Sequence, residues 1–331
     1  MPADIFSSDI FSIGSLTASI NEADYVPSRL GQLGIFEEAG IATTTATVEK
    51  DGDTLALVPA GERGAPADPL KRNKRTGVTF NAVHLPVTDT ILADEVQNVR
   101  AFGSEDQLEG VQQVVDTKLG RMARRIDATL EWQRMGALKG KILDADGKTV
   151  LTDLYSAFGI EQKTVKMALN TDSTSVQGKA LDVLEGIEDA LKMLPFTGAH
   201  AFCGRSYWRK LISHPNVREA YLNQQSEKLR GDGRDAFEFG GITWERAVGN
   251  VAGQPFVATG EAVVIPMGVP DMFLAHYAPA DYVEAVNTIG LPFYSSTDRL
   301  PHGKGVELEA QSNPIILNTR PGACIRLVET A

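Results

Sequence analysis

The residue types best suited to chemistry are scattered along this chain rather than grouped in a recognisable motif. The sequence contains no glycine-rich phosphate loop, nucleophile elbow, zinc-type cysteine spacing or His-Glu-x-x-His pattern. Its histidines are distant from one another, and two of them are typical of surface positions, since His214 precedes a proline and His302 lies in a Pro-Gly loop. The five are His84, His200, His214, His276 and His302. Because an active site needs convergent groups, the sequence predicts no catalytic residue, no cofactor and no metal.

One pair of aspartates has the spacing with which a calcium loop begins. Asp144 and Asp146 would take the first and third positions of such a loop. Gly147 then comes too early for the sharp turn of the loop, and Tyr155 stands where the bidentate glutamate belongs. These differences favour a plain turn between two short strands within residues 141–151.

The densest group of charges is a basic segment between predicted strands. Residues 62–75 contain five basic and two acidic side chains, a local net charge of +3 in a chain whose formal net charge is −11. Residues 43–49 and 54–58 predict a hairpin around Asp51 and Gly52, and residues 78–87 predict a third strand. The basic tip is either a solvated loop or a contact to an acidic patch on another copy of the chain, made by Arg63, Lys71, Arg72, Lys74 and Arg75.

The elements that position these residues include one unusually long helix. Residues 104–138 form an amphipathic pattern that starts with a capping box at 104–107. At about 1.5 Å per residue the helix would extend about 50 Å, which suits a protein that spans distance. Arg121, Arg124 and Arg125 lie off the apolar face near Asp127 and Glu131, so we expect a solvated, salt-bridged surface there. The apolar stripe consists of Leu108, Val111, Val115, Leu119, Met122, Ile126 and Leu130.

The rest of the pattern is that of an α+β protein. Residues 1–42 have no sustained period and predict an extended arm that docks on something else. Residues 178–194 predict a second amphipathic helix, and a third starts near Ser206 and runs towards His214. The second helix should bury Leu181, Leu184, Ile187, Leu191 and Leu194. Strands are predicted at residues 199–203, 273–277, 282–286, 306–311 and 324–328.

Composition excludes several classes of protein. The net charge of −11 argues against a nucleic-acid-binding surface, which needs a basic field. No apolar run is long enough to cross a membrane, and the first residues lack the basic start of a secretory signal, so we expect a cytoplasmic protein. Cys203 and Cys324 are isolated in apolar, strand-like segments, which is typical of buried free thiols.

Several segments of the chain carry a resemblance to one protein family. They are the stretch after the long helix, residues 137–147 with Phe158 and Gly159, and the C-terminal segments 278–294, 309–314 and 320–321. The first resembles the stretch after the spine helix, and the C-terminal segments resemble the signature segments, of the lambda-like major capsid proteins of tailed bacteriophages, the capsid protein E family. Residues 34–36, 63–64 and 240–243 also fit, so the resemblance covers nearly the whole chain.

The resemblance implies the tailed-phage major capsid fold. Its parts would be an N-terminal arm (1–42), a β-hairpin called the E-loop (43–92), a peripheral domain (93–145) with a spine helix at 104–138, and an axial domain (146–271). Residues 272–331 would return to the peripheral domain and its long-stranded sheet. The arm, the hairpin, the long helix and the α+β middle are therefore expected from the residues and from the resemblance alike.

The resemblance also implies a function and partners. Copies would form hexamers and pentamers that build an icosahedral head shell around packaged double-stranded DNA, with the E-loop lying over a neighbour. The protein would belong to the virion after assembly in the host cytoplasm. Because arm-like sequence begins almost at Met1, we expect a separate scaffolding protein, together with a portal and, in some members, a decoration protein.

An alternative within the same fold is a shell that crosslinks itself. Some shells of this fold join a loop lysine to an asparagine of a neighbour, with a nearby glutamate as base. Lys71 or Lys74, Asn313 and Glu309 would take these roles here, although the lambda-like branch does not use this chemistry. A conventional hydrolase lacks a convergent site, and a monomeric binding module is disfavoured by the arm and the hairpin, which are too weakly amphipathic to form cores of their own.

Overall fold

The computed structural model describes residues 11–22, 28–50, 76–96, 107–192, 194–218, 236–251 and 253–330 of the 331. These residues form an α+β fold, as the sequence predicts. Its α-helices are α1 (Ile13–Glu22), α2 (Arg29–Leu33), α3 (Ala93–Val96), α4 (Gln107–Lys139), α5 (Leu154–Phe158), α6 (Val176–Leu191) and α7 (Arg205–Ser213).

The strands are short and come from all parts of the chain. In the first half they are β1 (Glu37–Gly40), β2 (Thr45–Lys50), β3 (Thr76–Asn81), β4 (Leu85–Leu92), β5 (Lys141–Leu143), β6 (Val150–Asp153) and β7 (Thr164–Lys166). In the second half they are β8 (Gly198–Cys203), β9 (Phe237–Phe239), β10 (Ile242–Arg246), β11 (Asn250–Val251), β12 (Gln254–Pro255), β13 (Glu261–Met267), β14 (Phe273–Tyr277), β15 (Tyr294–Arg299), β16 (Gly305–Ser312), β17 (Pro314–Asn318) and β18 (Ile325–Val328).

Three sheets organise the described residues. The largest has six strands in the order β7-β18-β13-β8-β10-β9, and two three-stranded sheets have the orders β15-β16-β4 and β1-β14-β17. Three antiparallel pairs complete the pattern, namely β2 with β3, β5 with β6, and β11 with β12. Most neighbours are distant in sequence, so each sheet ties together separate segments of the chain.

Helix α4 links two hydrophobic cores. Its apolar stripe from Val111 to Leu130 is buried, as predicted, against residues of β4, β16 and α1. Its last turns belong instead to the core around the six-stranded sheet, where residues 130–138 are buried on every side. The predicted capping box at 104–106 and the side chain of Leu108 lie outside the described residues. The helix ends at Gly140, whose φ is +79° and where a Cβ would meet the ring of Tyr155.

The six-stranded sheet is covered on both faces. Tyr207 of α7 stacks on Trp244 of β10, and Gly186 of α6 lies over Ile325 of β18. Alternation along the paired strands places Trp244 and Ile325 on one face and Glu245 on the other. Helices α6 and α7 therefore share a face, while the segment that contacts Glu245 lies opposite.

Several predicted elements agree with the structure. Strands β14 and β8 match residues 273–277 and 199–203 to within one residue, and α4 ends at Lys139, one residue beyond the predicted end of the long helix. The turn after α4 joins β5 to β6, and the carboxylate of Asp146 accepts hydrogen bonds from the backbone of Lys148 and Thr149. Both cysteines are buried free thiols.

Three predictions for the chain ends and loops are wrong. Residues 13–22 and 29–33 of the supposedly extended arm are helical, because Leu16, Ile20 and Leu30 are buried against the rest of the chain. The strand predicted at 282–286 is a short 3₁₀ turn whose valines are exposed. The single strand predicted at 78–87 is two strands, β3 and β4, which belong to different sheets.

The buried face of α6 also differs from the prediction. The helix buries Val176, Ala180, Val183, Ile187 and Leu191, and it leaves Leu181 half exposed. Small residues decide which face of α6 is buried, since Ala180 lies against Gly240 and Gly186 lies against Ile325. The leucine spacing alone did not reveal this face.

Candidate functional site

The sequence-predicted contact residues Arg63, Lys71, Arg72, Lys74 and Arg75 lie outside the described part of the chain. The strands that flank them are described. β2 pairs with β3 in antiparallel register, with Lys50 opposite Thr76. The predicted turn at Asp51 and Gly52 and the predicted strand at 54–58 lie outside the described residues.

A buried carboxylate on α4 holds the start of α2. Glu131 accepts a 2.8 Å hydrogen bond from the backbone N–H of Leu30 and a 2.6 Å bond from the hydroxyl of Ser28. Burial raises the pKa of this carboxyl, while the two hydrogen bonds act in the opposite direction. The carboxylate satisfies donors at the N-terminus of a helix that is too short to be stable alone.

Arg134, one turn further along α4, holds the following segment. Its guanidinium lies 2.6 Å from a carboxylate oxygen of Glu38, 3.9 Å from Asp127 and 6.0 Å from the ring centre of Phe36. It also donates to the hydroxyl of Tyr277, at 3.3 Å. One buried cation thus ties α4 to the segment around β1 and to the end of β14.

A third contact ties the same segment to the six-stranded sheet. Arg29 donates two hydrogen bonds to Glu245, at 2.6 and 2.7 Å, and His200 lies 3.0 Å from the same carboxylate. Burial acts to raise the pKa of Glu245, but the bonds from His200 and Arg29 outweigh it and lower the pKa to about 2. We call the three contacts centred on Glu131, Arg134 and Glu245 the anchor.

Sequence reasoning missed the anchor. Asp127 and Glu131 are buried, not part of a solvated surface, because the N-terminal segment covers that side of α4. Arg121, Arg124 and Arg125 are exposed, as predicted. One signal in the sequence could have indicated this burial. After Leu130, the large apolar residues Trp132, Met135 and Leu138 lie between polar ones, so the apolar residues are not confined to one face of the helix.

Helix α1 docks on the same subunit through a separate set of contacts. Thr17 exchanges hydrogen bonds with the backbone of Ser295, and the Asn21 amide donates to the carbonyl of Phe293 at 2.8 Å. Ser19 donates to Asp116 of α4 at 2.8 Å. The described part of the N-terminal region is therefore built into its own subunit.

Two residues of the self-crosslinking alternative, Asn313 and Glu309, make hydrogen bonds within the subunit. The Asn313 side chain is only 6% exposed, and it bonds with the ring of His84 at 2.9 Å and with Gln311 at 3.0 Å. Glu309 accepts a 3.0 Å hydrogen bond from Tyr282. A lysine from a neighbour would have to displace these bonds to reach the amide, and the two candidate lysines lie outside the described residues.

The histidines do not converge in the structure either. His214 is buried rather than at the surface, because its ring bonds with the carbonyl of Thr171 and accepts from the N–H of Asn216. His302 is exposed, as predicted. Among the described residues, no group of three His, Cys, Asp or Glu side chains is arranged to hold a metal ion, and no helix is long and apolar enough to cross a membrane.

Four of the eight exposed large apolar residues in the described part of the chain lie on one loop. Val283, Val286, Ile289 and Leu291 are 86%, 62%, 69% and 43% exposed, and we call them the apolar loop surface. With α1 the loop borders an open groove of about 1070 Å³. Gly290 holds the loop in place, since its N–H donates to the carbonyl of Ile41 and a Cβ there would lie 2.0 Å from the Tyr277 carbonyl oxygen.

Known proteins with similar sequences and folds are phage capsid proteins. The family model for phage major capsid protein E matches residues 12–328. The major capsid protein of Pseudomonas phage KPP10 is 32% identical over 304 residues, which cover 85% of this chain and 86% of the relative. That of Salmonella phage Felix O1 is 25% identical over 94% of both chains. A solved prophage protein of Escherichia coli CFT073, described as a capsid protein, has a TM-score of 0.59 at 17% identity and covers 96% of this chain and 98% of its own.

Removing the buried cation of the anchor should destabilise the subunit strongly. Arg134→Leu leaves Asp127 and Glu131 without their compensating charge, and loss of one partner of a buried ionic group costs about 3 kcal/mol. Urea unfolding of the free subunit measures this loss. Arg124→Leu on the same helix is the matched control, because Arg124 is exposed and its one hydrogen bond to a described residue is to the Gly120 carbonyl. Equal unfolding midpoints for the two variants would show that Arg134 does not anchor the segment.

The Glu245 contact should make stability depend on acid pH. A carboxyl whose folded-state pKa is about 2, against a usual 4.5, stabilises the fold fully above pH 4.5 and loses that contribution as the pH falls towards 2. Glu245→Gln should cost on the order of 2 kcal/mol at pH 7, and the difference from the parent should shrink towards pH 2. Unfolding measured from pH 2.5 to 7 tests this, with the exposed Glu185→Gln as control. A pH-independent difference for Glu245→Gln would contradict the assignment.

Proposed function

This chain belongs to the phage major capsid protein E family, and we propose that its copies assemble as hexamers and pentamers into the icosahedral shell of a phage head. It is a major capsid protein, a structural component of the virion. In this role the subunit does no chemistry, and its function lies in the surfaces through which copies contact one another.

The apolar loop surface is the observation that supports assembly best. Four large apolar side chains on one loop, 43–86% exposed, are unusual for a protein that stays monomeric. The backbone bond of Gly290 fixes this loop on the fold, so its side chains are presented in a defined position. We propose that a second copy of the chain covers this surface in the shell.

The described elements support a division of the chain into an arm, a loop and two domains. We propose that residues 1–42 form the arm, 43–92 the E-loop around β2 and β3, 93–145 the peripheral domain on α4, and 146–271 the axial domain. Residues 272–331 return to the peripheral domain. The pairing of β18 with β13 then joins the chain's last strand to the sheet of the axial segment.

The partners we propose follow from the role in a shell. The subunit would assemble in the host cytoplasm with a separate scaffolding protein and a portal, and a decoration protein would be an optional addition. The shell would enclose double-stranded DNA without recognising its sequence. The net charge of −11 supports this, since a container gains nothing from binding its contents tightly.

Charged residues in the apolar loop surface should block assembly without unfolding the subunit. Val283→Lys with Ile289→Lys would bury two unpaired ammonium groups at the proposed contact, and we expect about tenfold fewer particles or rings by sedimentation. Thermal melting should stay unchanged because both side chains are exposed in the free subunit. The apolar pair Val283→Ile with Ile289→Val is the control and should assemble. Normal particles from the lysine variant would remove this surface from the contact.

The basic tip of the E-loop should guide contact with a neighbour. Lys71→Glu with Arg72→Glu and Lys74→Glu would replace attraction by repulsion, so assembly should weaken most at low salt and recover partly as salt screens exposed charges over about 8–10 Å. The subunit itself should melt as the parent does. Lys71→Arg with Lys74→Arg keeps the charge and should assemble normally. If the glutamate variant assembles like the parent at both low and high salt, the tip is a solvated loop.

A further inference from the structure

Three arginines line one cavity at the edge of the six-stranded sheet. Arg205 and Arg209 come from α7, and Arg246 is the last residue of β10. The cavity measures about 690 Å³, and Trp208 and the 62% exposed Val248 add apolar surface to it. Its described lining contains no acidic residue, and the three arginines make no ion pair with any residue that the structure describes. We call this the arginine cavity.

A group of like charges without a counter-charge among the described residues favours an anionic partner. Guanidinium groups that line one cavity repel one another, and an anion between them relieves this repulsion. Guanidinium is planar and presents several donors in a fork, which matches carboxylate and phosphate groups. The positive charge of this cavity contrasts with the net charge of −11 of the whole chain.

The exposed face of α6 has the complementary chemistry. Asp182, Glu185, Glu188 and Asp189 are all exposed on this helix, and the half-exposed Leu181 lies among them. Only Asp182 has an ion pair among the described residues, a 3.6 Å contact with Lys179. This face therefore offers carboxylates for the arginines and an apolar side chain for Trp208 and Val248.

We propose that the arginine cavity of one subunit binds the acidic face of α6 of a neighbouring subunit. Within one subunit, the described contacts include no salt bridge between these two surfaces, and their charges and apolar side chains are complementary. Two different surfaces that meet between identical chains form a head-to-tail contact, and such contacts form a ring when the rotation between successive copies closes. The inference rests on the proposed function and identifies one contact by which hexamers and pentamers would form. The carboxylate is favoured over a nucleic-acid phosphate because both halves of the contact occur on this chain.

Charge reversal with rescue tests the pairing in the full-length protein. Arg205→Glu with Arg209→Glu should reduce rings and particles about tenfold in sedimentation at low salt, as should Glu185→Lys with Asp189→Lys. All four residues are exposed, so each subunit should melt as the parent does. Combining the four substitutions in one chain restores opposite charges, and assembly should return to within about twofold of the parent. Arg205→Lys with Arg209→Lys keeps the charge and should retain most of the assembly.

The outcomes separate this inference from the proposed function. A parent protein that never forms rings or particles would contradict the proposed function itself. A parent that assembles, with arginine variants that assemble equally well, would overturn the inference alone. Failure of the fourfold variant to recover would overturn the pairing with α6. A short DNA duplex that binds the parent subunit and not the Arg205→Glu, Arg209→Glu variant, with assembly unaffected, would assign the cavity to phosphate and also overturn the proposal.

Discussion

The complete burial of the last turns of α4 is the constraint on which the rest of the structure depends. Residues 130–138 are all buried, so the charged groups there need partners from elsewhere in the chain. Glu131 finds it at the start of α2, and Arg134 finds it at Glu38 and Tyr277. Because unpaired buried charges cost several kcal/mol, these contacts fix where the N-terminal segment can lie.

That placement decides which surfaces are left for other copies. The described N-terminal helices are committed to their own subunit through the anchor and through the contacts of Thr17 and Asn21. α2 is far too short to persist without such packing, so this region folds with the subunit and cannot be exchanged independently of it. The surfaces that the described residues leave exposed include the apolar loop surface, the acidic face of α6 and the arginine cavity.

How much of the structure the sequence could predict depended on how far apart in the sequence the interacting residues lie. The end of the long helix and strands such as β14 follow from local periodicity, and they were predicted to within one residue. The anchor could not be found in this way, because Glu131 and Leu30 lie 101 positions apart and the covering segment has only weak periodicity. The burial of His214 likewise depends on the carbonyl of Thr171, 43 positions earlier. The basic tip is visible in composition alone, and its contact stays a prediction.

The chemistry of the exposed surfaces suits a subunit that must stay soluble and still join with others. Copies with a net charge of −11 repel one another at long range, which opposes indiscriminate association. Apolar side chains such as Val283 and Ile289 supply affinity but little directional preference. Local pairs of opposite charge, such as the arginines of one copy and α6 of the next, would set the orientation at which that repulsion is relieved. Each contact can then be weak, because a subunit in a closed lattice makes several at once and dissociates only when all of them break.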